Sequence, residues 1–318
     1  MKQLLYIDSN IYLRFYDSNQ AEYKKLLKTL KSLKDKIFIT KQIQYEIDRN
    51  KADVFRNSFD TYLKQARNYN SITLPEHLDD LKDSEITLWN KERKELITIL
   101  EKSNKKLNEI YKRKMTLISE SQDEVSKILN LLFQKAEEYS NEEILKARER
   151  KERGNPPGKS NDPLGDQINW EQLLSKIKDV DELYIISNDH DLLTTIENTS
   201  FLNPLLYQEL ILIKEKLKVS CYHSLSNALL NLTKTSSEKI QNLPSKAILE
   251  EINNKEEKDF FDGSYTIHHK NYDRRNDELQ RLTYMFRHAL ITSNNFVEAL
   301  QKLEYTEIEI QKFLNSKV

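Results

Sequence analysis

Short runs of consecutive apolar residues alternate along the chain with longer segments in which apolar residues recur every three or four positions. The short runs predict strands, because a strand buried on both faces of a parallel sheet is apolar at successive positions. Four strands are predicted in this way, at residues 3–7 (QLLYI), Ile37–Ile39, Leu183–Ser187 and Val219–Tyr222. Strands that alternate with helices predict an α/β domain with a central parallel sheet.

Amphipathic helices are predicted between these strands. One begins near Ser18 and carries leucines at helical spacing, namely Leu26, Leu27, Leu30 and Leu33. Thr40 follows the second strand and is a favoured N-cap residue, so we expect a helix to begin there. Two more helices are predicted, from Asp166 to about Ile177 and across Pro204–Leu217.

The segment between Pro75 and Gly154 contains neither glycine nor proline, which predicts long uninterrupted helices. Apolar residues from Trp89 to Leu117 fall on one stripe of a first helix, and Val125 to Phe133 belong to a second. We predict that the two pack as an antiparallel helical hairpin inserted at about residues 76–153. This arm is either a solvated pair of charged helices or a surface for a protein partner or self-association.

The composition changes after the last predicted strand, and this change sets the expected domain boundaries. We predict one domain over residues 1–232, which includes the helical insertion. A linker rich in Ser, Lys, Asn and Glu follows at 233–273. Residues 274–318 regain helical periodicity and are expected to form a small helical C-terminal module.

Glycine is scarce, with four in 318 residues where average usage would give roughly 22. Three of them, Gly154, Gly158 and Gly165, lie within one twelve-residue stretch that also contains Pro156 and Pro157. The glycine-rich loops that bind nucleotide phosphates, and the nucleophile elbow of α/β hydrolases, are therefore excluded. The clustered glycines and prolines also predict a single loop of irregular backbone just before Asp166.

The charge balance and the cysteine count limit the possible partners and cofactors. Lys and Arg number 50 against 51 Asp and Glu, so the chain has a net charge of −1 and any nucleic-acid contact requires a local basic patch. The single cysteine, Cys221, excludes an internal disulfide and a multi-cysteine metal site. No apolar run reaches the length of a membrane span and the N-terminus is quickly polar, so we expect a cytoplasmic protein with no membrane contact.

Four carboxylates follow strands or begin helices, where parallel sheets place their ligand sites. Asp8 and Asp189 come after predicted strands, Glu46 lies early in the helix that Thr40 begins, and Asp166 begins a helix. Each alone is more typical of a cap, a turn or a solvated helix face. If they converge, they form an all-oxygen site that suits Mg²⁺ or Mn²⁺ better than zinc.

At these positions the chain resembles the PIN-like nucleases, in the subfamily that joins a PPG loop to a G-D-x-x-x-W helix. The matching stretches are YIDSNIYL (6–13), ITKQIQYEI (39–47), GNPPGKSNDPLGDQINWEQLL (154–174) and LYIISNDHDLL (183–193). PPG followed by GDQINW is the most specific of them, and the resemblance covers roughly residues 1–232. It implies a three-layer fold around a parallel sheet and metal-dependent hydrolysis of nucleic-acid phosphodiesters, with RNA the commoner substrate than DNA.

The resemblance also assigns roles to individual residues. The acidic quartet of catalytic and metal-binding residues corresponds to Asp8, Glu46, Asp166 and Asp189, and Asp191 is a candidate fifth acid. Asn10 and Ser187 match polar positions beside the first and last acids, where a side chain can hold a carboxylate or a water in place.

A basic segment, residues 144–153, leads directly into the glycine-containing loop. Its arginines Arg148, Arg150 and Arg153, together with Lys159 in the loop, are candidates for binding the phosphate backbone of a substrate. The alternative is a charged helix end, since cations are favoured near helix C-termini.

The sequence therefore predicts a metal-dependent endonuclease, and the resemblance implies that it acts on RNA as a toxin or defence effector. Two alternatives remain open. One is a metal-dependent phosphatase, although Asn10 occupies the place of the second aspartate that an aspartyl-nucleophile phosphatase needs. The other is a catalytically inactive module of the same fold that binds nucleic acid or protein.

Overall fold

A computed structural model describes residues 2–17, 22–67, 84–158, 164–197, 199–235 and 240–261, together with residues 297, 300 and 301. The chain divides into two compact units, Met1–Asn254 and Lys255–Val318. The fold described below is that of the first unit. The predicted C-terminal module, 274–318, lies almost entirely outside the described residues.

The centre of the first unit is a four-stranded parallel sheet, as the sequence predicts. Its strands are β1 (Gln3–Ile7), β2 (Ile37–Phe38), β3 (Glu182–Ile186) and β6 (Lys218–Tyr222), in the order β2-β1-β3-β6. A two-stranded antiparallel hairpin, β4 (Leu193–Ile196) and β5 (Thr199–Leu202), was not predicted. Its strands are four residues long, and all but one of their residues are exposed or half-exposed, so they contain no apolar run that would reveal them.

Ten α-helices lie in the described part of the chain. They are α1 (Ser9–Asp17), α2 (Tyr23–Ser32), α3 (Lys41–Arg67), α4 (Ser84–Ser119), α5 (Glu124–Phe133), α6 (Asn141–Glu152), α7 (Gly165–Lys176), α8 (Pro204–Ile213), α9 (Leu225–Thr235) and α10 (Lys246–Phe261). The predicted cap of α3 is present, because Ile43 N donates to Thr40 Oγ1 at 3.0 Å.

The connections between strands place helices on both faces of the sheet. The β1–β2 connection, with α1 and α2, runs toward one edge, and the β3–β6 connection, with α8, runs toward the other. Because parallel crossovers are almost always right-handed, the two connections lie on opposite faces. This is the three-layer α/β arrangement that the sequence predicts, and it brings the carboxyl ends of all four strands to one edge.

The core fills both sides of the sheet with aliphatic and aromatic side chains. All five residues of β3 are buried, and Trp170 of α7 is the largest fully buried side chain. Leu249 and Ile252 of α10 belong to the same core, so the compact unit continues beyond residue 232, where the sequence predicts the linker to begin. A short apolar pair inside a charged segment does not stand out in sequence, which explains the difference.

The predicted hairpin within residues 76–153 is wrong in its pairing. The partner of α4 is α3, since Phe55 and Phe59 stack on Tyr111 with ring centroids 5.2 and 3.8 Å apart. Lys51 Nζ donates to Ser121 Oγ, so the two helices run antiparallel. The 27 residues of α3 far exceed the length of a five-residue strand, so its distal half requires a partner outside the sheet layers.

The second predicted helix of that hairpin, α5, packs into the main core instead. Leu129, Leu132 and Phe133 are buried there, and Ser126 Oγ and Tyr16 Oη form a 2.9 Å hydrogen bond. By contrast α4 exposes apolar side chains along its length, namely Leu88, Leu96, Ile99, Leu107 and Ile110. Protein contact or self-association through this arm stays a prediction.

None of the helices in the described ranges combines the length and the apolarity that crossing a lipid bilayer requires.

Candidate active site at the carboxyl edge of the sheet

Two of the predicted acidic residues lie at the carboxyl ends of neighbouring strands. Ile7 and Ile186 are paired in register as the last residues of β1 and β3, so Asp8 and Ser187 follow side by side. Asp8 N donates to Ile186 O at 2.9 Å, and Ser187 N donates to Tyr222 O at 3.0 Å. The backbone ladder thus continues to the residues that carry the site, which holds them rigidly.

The Asp8 carboxylate is buried and oriented by hydrogen bonds to both oxygens. Oδ1 accepts from Ser9 N at 2.7 Å and from Ser9 Oγ at 3.4 Å. Oδ2 accepts from Asn10 Nδ2 at 2.9 Å and from Ser187 Oγ at 2.6 Å. Asn10 and Ser187, which the sequence nominates as supporting residues, therefore both contact Asp8 directly.

Ser187 also links Asp8 to the second acid. Its Oγ accepts from Asp189 N at 2.9 Å, so one hydroxyl joins the loop that carries Asp189 to the Asp8 carboxylate. Asp189 Oδ1 accepts from Asp191 N at 3.0 Å, which makes a tight turn of the residues 189–191. Asp191 is half-buried in this turn, and the contact with Asp189 comes from its backbone.

Glu46 and Asp166 reach the same region from two helices. Glu46 lies in the second turn of α3, is 8% exposed, and accepts from Gln42 Nε2 at 2.8 Å and from Ser9. Gly165 begins α7 immediately before Asp166. A Cβ atom on this glycine would lie 2.6 Å from Gln42 Nε2 and closer still to Glu46 Oε1, so the start of α7 touches the Glu46 side chain.

The charges of all four acids influence the pKa of one buried side chain. Burial raises the pKa of Asp8 to about 7; the negative charge of Asp189 raises it too, and the Ser187 hydrogen bond partly opposes this. Burial also raises the pKa of Glu46. The pKa of the Tyr6 hydroxyl is raised by burial and then by the charges of all four acids: Asp8, Asp166, Glu46 and Asp189. The charges of all four acids therefore reach one buried phenol, which places them in the same part of the molecule.

This clustering makes a prediction for the metal-free protein. Asp8 has a pKa near 7 in the folded state and 3.8 unfolded, so between about pH 4 and 7 the folded state binds more protons. The protein's free energy of unfolding should therefore fall as pH rises through that window, by up to about 1.4 kcal/mol per pH unit. Urea unfolding in EDTA from pH 5 to 8 measures the slope.

Asp8→Asn protein is the matched control for this slope. Without the carboxyl group it should lose markedly less stability over the same pH range. Equal slopes in the two proteins would show that Asp8 carries its charge without cost in the folded state.

The donor set fits a hard divalent cation. Within the described ranges, no three carboxylate, imidazole or thiol groups are close enough together to hold a metal ion as they stand. The four acids nevertheless offer only oxygen ligands, and the pKa of Asp8 is raised by burial and then by the charges of Asp189 and Glu46. The Ser9 Oγ contact at 3.4 Å is near the limit of a hydrogen bond, so Asp8 Oδ1 retains the capacity to bind another group.

The structure does not bring the predicted phosphate-binding arginines together. Arg150 is 7% exposed and forms ion pairs with Glu171 at 2.6 Å and Glu209 at 3.0 Å, so the prediction that it binds substrate is wrong. Arg148 and Arg153 are exposed on and after α6, and Arg153 contacts Glu149 at 3.4 Å. Lys159 lies outside the described residues.

Four residues of the site were missed in the sequence. Ser9 bonds to Asp8 and Glu46, Gln42 donates to Glu46, Gly165 makes room for the Glu46 carboxylate, and Tyr6 lies among the acids. Gln42 could have been found, because it lies four residues before Glu46 and thus on the same helix face. Ser9 adjoins Asp8 in the sequence, but its bond to Glu46 and the roles of Gly165 and Tyr6 are tertiary and leave no sequence spacing to detect.

Comparison with known proteins gives one family. The family model described as "PIN like domain" matches residues 4–191, which includes all four acids and more than half of the chain. Curated proteins and solved structures gave no match. The narrower assignment, to the subfamily with a PPG loop and a G-D-x-x-x-W helix, stays a prediction.

Proposed function

The chain belongs to the PIN-like domain family, and on this basis we propose that it is a metal-dependent endonuclease that hydrolyses RNA phosphodiesters. The observation that carries the proposal is the buried Asp8 carboxylate, held by Ser9, Asn10 and Ser187 among three further acids. Burying like charges costs free energy, which a bound cation would offset.

Asp8, Asp166 and Asp189 are the residues that would hold Mg²⁺ or Mn²⁺. Such an ion supplies Lewis-acid stabilisation of the phosphate oxygens and lowers the pKa of a water. Ser187 and Asn10 fix the orientation of Asp8, so that its oxygens need no rearrangement when substrate arrives. Glu46, buried and held by Gln42, would bind a second ion or orient the attacking water.

Asn10 argues against the aspartyl-nucleophile phosphatase. Its side-chain amide donates to Asp8 at 2.9 Å, so the second position of that motif carries a supporting donor and no acid.

The RNA backbone would be contacted by Arg148 and Arg153, which are both exposed, and by Lys159. A role as a toxin or defence effector stays a prediction.

A cleavage assay tests the proposal. The purified full chain is incubated with end-labelled single- and double-stranded RNA and DNA in Mg²⁺, in Mn²⁺ and in EDTA. We expect internal cleavage of RNA in either metal and a loss of at least about 100-fold in EDTA.

Equal cleavage in EDTA would overturn the metal-dependent mechanism. Cleavage of DNA alone would overturn the assignment of RNA as substrate and would leave the metal-dependent mechanism intact. Hydrolysis of small phosphomonoesters with intact nucleic acids would favour the phosphatase.

A further inference from the structure

Arg150 occupies a buried position where three segments of the chain meet. Its Nε and Nη2 contact Glu171 Oε1 at 2.8 and 2.6 Å, and its Nη1 contacts Glu209 Oε1 at 3.0 Å. Nη1 also donates to the backbone oxygen of Pro156 at 2.8 Å. One guanidinium on α6 therefore binds α7, α8 and the segment that follows α6.

The segment that Arg150 binds through Pro156 is the first part of the glycine- and proline-containing loop. Asn155 N donates to Arg150 O at 3.0 Å, and Pro156 O accepts from the Arg150 side chain. Gly158 has a φ of +94° and lies against the Gln167 side chain, where a Cβ atom would overlap the Gln167 amide. Both Arg150 and Gln167 thus fix the path of this segment over α7.

Arg150 also holds α7, the helix that carries Asp166. Glu171 lies five residues further along α7, and the intervening Trp170 is completely buried with Nε1 donating to Glu209 Oε2 at 2.8 Å. Glu209 accepts from both Trp170 and Arg150, so α7 is tied to α8 directly through Trp170 and indirectly through Arg150 and Glu171. A rotation or shift of α7 would have to break these contacts before Asp166 could move.

We propose that Arg150 is a positioning residue for the acidic site, which it serves through Glu171, Glu209 and Pro156. It sets the place of α7, and hence of Asp166, relative to the sheet edge. The claim that this affects catalysis rests on the proposed nuclease function, whereas the claim that Arg150 holds α7 does not. Lysine cannot replace it, because a single ammonium lacks the planar set of donors that reaches three acceptors on separate segments.

Arg150→Lys tests the proposal, and Arg113→Lys is the matched control. The control makes the same change at an exposed side chain of α4, a helix that carries none of the four acids. Both are made in a Trp89→Phe background, because the chain has two tryptophans and Trp170 then reports alone. Acrylamide quenching of Trp170 fluorescence, urea unfolding, kcat and KM are measured for each protein.

The expected result is a folded Arg150→Lys protein whose Trp170 is at least about twice as accessible to acrylamide. Its kcat should fall about tenfold with KM changed by less than about twofold, since misplaced catalytic groups slow the chemical step. Arg113→Lys should leave Trp170 quenching and kcat unchanged. Glu209→Gln should change quenching in the same direction, because an amide oxygen cannot accept fully from both Trp170 and Arg150.

Unchanged Trp170 quenching in both Arg150→Lys and Glu209→Gln would overturn the proposal. So would a lowered unfolding midpoint with an unaltered kcat, which is the behaviour of a purely stabilising residue. A raised KM at constant kcat would overturn it as well, because a loss of uniform binding leaves the catalytic groups in place. If the wild-type chain cleaves no nucleic acid, the nuclease function fails, and Trp170 quenching still decides whether Arg150 holds α7.

Discussion

Replacing Asp8 with asparagine is expected to lower the rate of RNA cleavage by about 10³-fold, which corresponds to about 4 kcal/mol of transition-state stabilisation. The amide has nearly the shape of the carboxylate, but it is neutral and has only one acceptor oxygen. It cannot accept from Ser9 on one side and from both Asn10 and Ser187 on the other. Single-turnover cleavage in saturating Mg²⁺ measures the loss.

Folding of the Asp8→Asn protein is checked separately, by urea unfolding at pH 8. Its midpoint should not fall substantially, since the substitution removes a buried negative charge near Asp189 and Glu46. Asp179→Asn is the matched control, because this aspartate is exposed on the short 3-10 helix Ile177–Asp179. Retention of more than about a tenth of the activity by folded Asp8→Asn protein would refute the assignment of Asp8 to the catalytic centre.

Adding one methyl group at Gly165 is expected to lower activity by about 100-fold, the cost of misplacing a catalytic group by about 1 Å. The new Cβ atom would occupy the space of Glu46 Oε1 and Gln42 Nε2, so the Glu46 carboxylate must move. Stability should change little, because alanine is the better helix former at the start of α7. Cleavage kinetics and urea unfolding of Gly165→Ala measure the two effects.

Gly154→Ala is the matched control for this substitution. A Cβ atom added at Gly154 would meet no other atom within 4 Å, although the φ of +69° makes alanine mildly strained there. The effect of Gly165→Ala should also disappear in a Glu46→Gln background, if it acts through Glu46. Full additivity of the two substitutions would mean that Gly165 matters for another reason.

The fold and the four acids were accessible from local sequence patterns. QLLYI and LYIIS are apolar runs that end in acids, and such runs report burial in a parallel sheet. Asp8 follows the first run directly and Asp189 follows the second after Asn188, so sheet topology alone brings them near each other. Glu46 and Asp166 stand early in predicted helices, and the family resemblance joined all four acids into one quartet. In the structure, burial raises the pKa of the Tyr6 hydroxyl and the charges of all four acids raise it further.

The pairing of the long helices was not accessible in this way. The apolar stripe of α4 indicates a helix with a partner but does not identify it. Phe55 and Phe59 of α3 fill this role against Tyr111, while α5 enters the core. An amphipathic stripe is satisfied by any apolar surface of suitable shape, so the choice depends on the lengths and positions of all the helices together.

Arg150 shows the same division between local and tertiary information most clearly. In sequence it belongs to a run of cations before a loop, and its neighbours Arg148 and Arg153 are indeed exposed. Its burial depends on Glu171 and Glu209, which lie 21 and 59 positions further along the chain. Periodicity and apolar runs are properties of neighbouring residues, and they specify strands, helices and the acids at their ends. Whether a given charge contacts substrate or supports a helix depends on long-range packing, which such local patterns do not contain.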